Sequence, residues 1–128
     1  MKKLLLIMLC LGFFAFSAYS ENIAFEGTPI SRTSSTSHGT ESVQITEEKQ
    51  INYKLVITKE NYEFFWFSRE RKKLKYIRSG VFSYFVSEDG SGYIKISKME
   101  EGKYLYLEHM NLGLHTITYW GIGDRLDL

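Results

Sequence analysis

Apolar and polar positions alternate with a period of two through most of the chain beyond residue 41. Ile51, Tyr53, Leu55 and Ile57 fall on one face of an extended segment, with Asn52 and Lys54 among the interleaved residues. Residues 62–67 form a dense aromatic run that is too short for a helix and rich in strand formers. The same texture returns at residues 82–87, 93–97, 104–109 and 114–120, with shorter candidates at 43–46 and 75–78. Turn chemistry separates these runs, at Lys59-Glu60-Asn61, at residues 88–92, at Glu101-Gly102 and at Asn111-Leu112-Gly113. The pattern predicts an all-β domain, a small antiparallel sandwich or barrel of about seven to eight short strands. Both architectures share this alternation, so the choice between them stays open.

Asp89-Gly90 is the sharpest local signal, because a two-residue turn with positive φ suits this pair. It would set Phe85 opposite Ile94 and Ser83 opposite Ile96, whereas a longer loop through Gly92 would shift that register. A barrel that spans a membrane is disfavoured. Eight strands of about 9–11 residues would nearly exhaust the chain, and the charged stretch from Arg69 to Arg78 does not suit a lipid-facing wall.

The alternation is missing from the first forty residues. Lys2 and Lys3 precede an apolar run from Leu4 to Phe16, and Ala18-Tyr19-Ser20 ends in small residues. This is the layout of a secretory signal peptide over residues 1–20, cleaved near Ser20. It predicts a secreted or periplasmic product with no transmembrane anchor, since the run is shorter than the ~20 residues a spanning helix needs. Leu9 is bulky where lipidation of Cys10 would favour a small residue. Residues 21–40 are rich in Ser and Thr and offer little to bury, so they read as a flexible arm. Residues 41–128 are expected to form the all-β domain.

Composition narrows the chemistry. Cys10 is the single cysteine and would leave with the leader, which excludes a disulfide framework, a cysteine nucleophile and cysteine-bound zinc from the mature chain. The formal net charge is +1 for the whole chain and becomes −1 without Lys2 and Lys3. Nucleic acid is therefore not an expected partner, and no motif calls for a cofactor.

Four groups of residues carry candidate chemistry. Tyr62 and Trp66 share a strand face, and Tyr104, Tyr106 and Trp120 offer a second set of rings. These rows fit a packed core as well as an exposed platform. Arg69, Arg71, Lys72 and Lys73, followed by Arg78, make a basic stretch suited to an anionic surface or an ordinary charged loop. If Asn111 to Gly113 form a loop, His109 and His115 would oppose each other on one face with Glu108 on the other, a weak basis for catalysis. Asp89-Gly90-Ser91-Gly92 lacks the frame of a nucleophile elbow or a calcium loop and reads as a turn. The expected function is non-catalytic binding of a protein or an anionic envelope component. A small hydrolase or lyase built on Glu108, His109 and His115 is one alternative, and an inhibitor of an envelope-degrading enzyme is another.

Overall fold

The computed structural model describes residues 22–128. The leader expected over residues 1–20, with Cys10 and the cleavage position, lies outside them. Nine strands run β1 (Ile23–Thr36), β2 (Gly39–Gln44), β3 (Leu55–Glu60), β4 (Glu63–Trp66), β5 (Lys72–Ser79), β6 (Phe82–Ser87), β7 (Gly92–Lys98), β8 (Tyr104–Leu112) and β9 (His115–Leu126). One short helix, α1 (Glu47–Gln50), leads into a 3₁₀ turn at Ile51–Tyr53. Consecutive antiparallel pairing from β3 to β9, with β1 paired to both β3 and β9, closes an eight-stranded barrel, and β2 is an extra strand on β1. Of the two predicted architectures, the barrel is the one formed. Among the described residues no helix is long and apolar enough to cross a membrane.

Each strand turns alternate residues inward, and the inward set is mostly apolar, with Glu108 and Ser87 as buried polar exceptions. Phe25, Leu55, Ile57, Phe64, Trp66, Leu74, Phe85, Ile94, Ile96 and Tyr106 form one buried cluster. Eight strands enclose just enough width for side chains to fill, and here they do. Lys73, Lys75 and Lys95 are exposed on the outer wall. Apolar inside and charged outside is the reverse of a barrel that faces lipid. Aromatic edges dominate the interior contacts: Phe25 meets Tyr106 at 5.7 Å between centroids, and Phe64 meets Phe85 at 5.2 Å. At Gly121 an added Cβ would strike the Thr28 carbonyl and the Tyr106 ring, so the seam needs a residue without one.

Three expectations are corrected here. Residues 21–40 are not a flexible arm, since β1 runs from Ile23 to Thr36 and supplies the strand that closes the barrel. Phe25 is fully buried and its neighbours are paired on both sides, to β3 and β9. The Ser/Thr-rich half of β1 lies between β2 and β9, where backbone hydrogen bonds hold a strand that has little apolar surface to bury. Residues 51–53 are a 3₁₀ turn and not the start of a strand, leaving Ile51 exposed. The β8–β9 turn is Gly113-Leu114, because Leu112 pairs with His115. Gly113 takes φ 72° there, as the first residue of a two-residue hairpin loop requires.

That β8–β9 hairpin and the β1–β2 hairpin reach past one end of the barrel together. The second half of β1, from Ser31 to Thr36, has β2 on one side and β9 on the other. The result is a small sheet extension continuous with the barrel wall.

Candidate functional site

Trp66, Arg69 and Glu108 come together inside this end of the barrel. Glu108 has no solvent exposure. The indole Nε1 of Trp66 donates to Glu108 Oε2 at 2.6 Å, and Arg69 donates through Nε to Oε2 at 3.2 Å and through Nη2 to Oε1 at 3.1 Å. Burial pushes the Glu108 carboxyl above its ordinary range, while the charge and hydrogen bonds of Arg69 and the Trp66 indole pull it back. The other face of Arg69 is occupied as well: its guanidinium lies 5.2 Å from the centroid of Tyr119. Tyr119 stacks on Tyr53 at 5.6 Å, and Arg32 lies over Tyr53 at 5.8 Å. Three residues singled out for separate roles are thus one buried, mutually satisfied ion-pair centre. Tyr106 sits nearby in the core, and burial raises its phenol well above its ordinary value.

The histidines do not join Glu108. His109 pairs with Thr118 rather than His115 and faces outward, where its Nδ1 lies 2.8 Å from Thr118 Oγ1. His115 is at the hairpin tip, with Nε2 2.7 Å from Ser34 Oγ. The three-residue difference from the expected register places the two imidazoles on opposite faces of the hairpin. Among the described residues no group of three or more His, Cys, Asp or Glu is arranged to hold a metal ion.

The basic stretch does not form a patch. Arg71 pairs with Glu60 and covers the Phe65 ring at 4.6 Å. Lys72 reaches Asp89 at 3.3 Å, and Lys73 reaches Glu63 at 3.1 Å and Glu88 at 3.8 Å. The hydroxyl and backbone N–H of Ser91 hold the Asp89 carboxyl below its usual range, with smaller help from Ser87 and Lys72. Arg78 is exposed near the β5–β6 turn at the opposite end of the barrel, without an ion pair among the described residues.

The aromatic residues divide by face. Trp66 and Tyr106 are buried, and Tyr104 is half-buried with its ring edge against Phe25 at 6.5 Å. Tyr62 is at the β3–β4 turn and 92% exposed. Trp120 stands on the outer wall of β9, 42% exposed, opposite Leu107 of β8. The barrel wall therefore separates Trp120 from Tyr104 and Tyr106.

Around Trp120 the outer wall gathers His109 with residues not singled out in the sequence. Tyr93 stacks on His109 at 4.9 Å and meets Tyr84 at 5.7 Å, and Lys95 lies 5.6 Å from both tyrosine rings. Leu105 is exposed on the same face, beside the half-buried Leu107. Their period-two spacing in β7 and β8 was visible. The missing information was which face turns outward, because both faces of these strands carry large apolar residues. Comparison with protein-family models, with curated proteins and with solved structures gives no match.

Proposed function

We propose that the protein is an exported, non-catalytic binding module that meets its partner with the outer wall of β7, β8 and β9. The observation that carries this reading is Trp120, a large ring left 42% exposed in a continuous face with Leu105, Leu107, Tyr93 and His109. Tryptophan and tyrosine on a rigid sheet give contact area at little conformational cost, which suits recognition. The interior offers no comparable opportunity, since fully buried Trp66, Tyr106, Phe25 and Phe85 fill it. Arg69 and Glu108 saturate each other, and His109 and His115 are held apart, so acid–base chemistry on that set is not proposed. Export rests on the signal-peptide layout of residues 1–20.

The test compares wild type with Trp120→Ala in co-sedimentation with insoluble cell-envelope material. Trp120→Ala is expected to weaken capture by about tenfold, equivalent to about 1.4 kcal/mol, while the thermal melt stays within a few degrees of wild type. Equal capture of both proteins would refute the reading.

A further inference from the structure

The face that holds Trp120 continues onto the sheet extension, and its chemistry changes there. Thr40 and Ser42 of β2, Ser31, Thr33 and Ser35 of β1, and Thr118 of β9 all project from this side. Two cross-strand pairs fix the hydroxyls in place: Thr33 Oγ1 to Ser42 Oγ at 3.0 Å, and Ser35 Oγ to Thr40 Oγ1 at 3.0 Å. A hydroxyl carries one donor and two acceptor sites, so each pair keeps hydrogen-bonding capacity directed outward. Sheet geometry sets the rows about 4.8 Å apart across strands and roughly 6.8 Å apart along them.

No charged side chain stands among these hydroxyls, although charged residues lie on the same strands. A register shift between Pro29 and Ser31 of β1 accounts for the sorting. A bulge exchanges the two faces of every residue that follows it. It turns Ser31, Thr33 and Ser35 to the side of Trp120, and sends Arg32 to the opposite side, where it lies over Tyr53. Without the shift Arg32 would pair with Thr118 and project among the hydroxyls. Glu41, opposite Ser34, is also on the far side. Ser31 sits opposite Trp120 in the register, so the hydroxyl rows lead directly to the exposed indole.

We infer that this face binds an uncharged polysaccharide strand, with a sugar ring stacked on Trp120 and neighbouring sugar hydroxyls on the Ser/Thr rows. The inference rests on the outer-wall reading above and names its ligand class. An anionic polymer would need cations along the rows, and there are none. A protein partner would need an apolar centre, whereas this half of the face presents hydroxyls together with the amides of Gln44 and Asn111. A neutral chain dense in hydroxyls matches both halves, because pyranose rings present an apolar C–H face to an indole and donors and acceptors to serine and threonine.

The test is co-sedimentation of the purified mature protein with cellulose, chitin and insoluble starch, alongside anionic phospholipid vesicles. Retention on at least one polysaccharide is expected, and it should persist at about 1 M NaCl, where charge pairing is screened. Thr33→Val/Thr40→Val removes one hydroxyl from each pair and keeps strand-forming side chains. It is expected to lower the bound fraction by about fivefold, and Trp120→Ala by about tenfold, with circular dichroism and melting unchanged. Trp120→Phe, which keeps a stacking ring, should recover most of the loss. Retention on vesicles alone, on nothing, or equally by the double valine variant would overturn the inference. If no polysaccharide binds but Trp120→Ala still loses the envelope material, the ligand class falls and the outer-wall reading stands. If Trp120→Ala changes neither assay, both fall.

Discussion

Replacing Arg69 by methionine tests the buried centre most directly. Glu108 has no solvent exposure, and the substitution leaves it only the Trp66 indole as a partner. Removing one partner of a buried pair costs about 3–5 kcal/mol. The Arg69 side chain is 21% exposed, so water can approach the orphaned carboxylate, and we expect the lower end, about 3 kcal/mol. Glu108→Gln keeps an oxygen for the Trp66 N–H and leaves Arg69 free to reach solvent, so it should cost about 1–2 kcal/mol. The double variant holds no buried charge, and its cost should fall about 2 kcal/mol below the sum of the two single changes. The sign of the pH dependence follows from the raised carboxyl of Glu108. A folded carboxyl that holds its proton more tightly than the unfolded one stabilises the fold below the unfolded range, and that stability is lost as pH rises through the folded value. Loss of Arg69 removes the influence that lowers this value, so the Arg69→Met deficit should shrink as pH falls from about 7 toward 5, while the double variant shows no such recovery. Urea denaturation followed by Trp66 fluorescence would measure all four proteins. Each kcal/mol moves the melting point of a domain this size by about 4–8 °C, so thermal scans would agree. Costs additive within about 0.5 kcal/mol, or an Arg69→Met deficit that ignores pH, would refute the reasoning.

The interior makes two further predictions. Gly121→Ala drives a Cβ into the Thr28 carbonyl and the Tyr106 ring, and should destabilise by at least about 2 kcal/mol, read as a shift in urea midpoint. Hydrogen exchange should show the loss concentrated at the β1–β9 seam; a midpoint near wild type would mean that Tyr106 yields freely. Tyr106→Phe is expected to leave stability unchanged or raise it by about 1 kcal/mol, since its hydroxyl is buried without a hydrogen-bond partner among the described residues. A loss above about 1 kcal/mol in the same assay would show that the hydroxyl is bonded.

The sequence revealed some elements better than others, for physical reasons. The expected β6–β7 register is the one formed, with Phe85 opposite Ile94 and Ser83 opposite Ile96. The two-residue turn is not: only Gly90 of the pair takes a positive φ, and the turn hydrogen bond runs from the Gly90 N–H to the Ser87 carbonyl, so the buried face of the two strands carries the register. At residues 108–115 two turns were available, and the glycine-first loop at Gly113-Leu114 moved His109 opposite Thr118. Ile51 to Ile57 alternated like a strand, yet the segment before Lys54 is helical and 3₁₀ turn. Over so few residues period two does not identify a strand by itself. The second half of β1 carried no apolar signal because its own residues, Ser31 to Thr36, are polar on both faces. Its conformation is imposed by β2 and β9, which no local pattern discloses. The candidate site failed in the same way: Trp66, Arg69 and Glu108 were each noticed, but their meeting depends on barrel closure across 39 to 42 positions of sequence.

Barrel closure and the exposed face have one origin, the continuity of β1. Its first half places Phe25 at the core and pairs with β3, while its second half leaves the barrel between β2 and β9. An eight-stranded barrel whose interior is filled by rings has no room for a guest of comparable size, so recognition has to work from the outside. An isolated polar hairpin would be too mobile to hold hydroxyls at fixed spacing, because nothing apolar would anchor it. Here the anchor is the core itself: β1 and β9 run unbroken from the packed interior into the extension, so its rows inherit the rigidity of the barrel. The register shift after Pro29 then determines which side chains that rigid sheet presents. One extra residue in one strand separates a face of neutral hydroxyls beside Trp120 from a face that would carry Arg32.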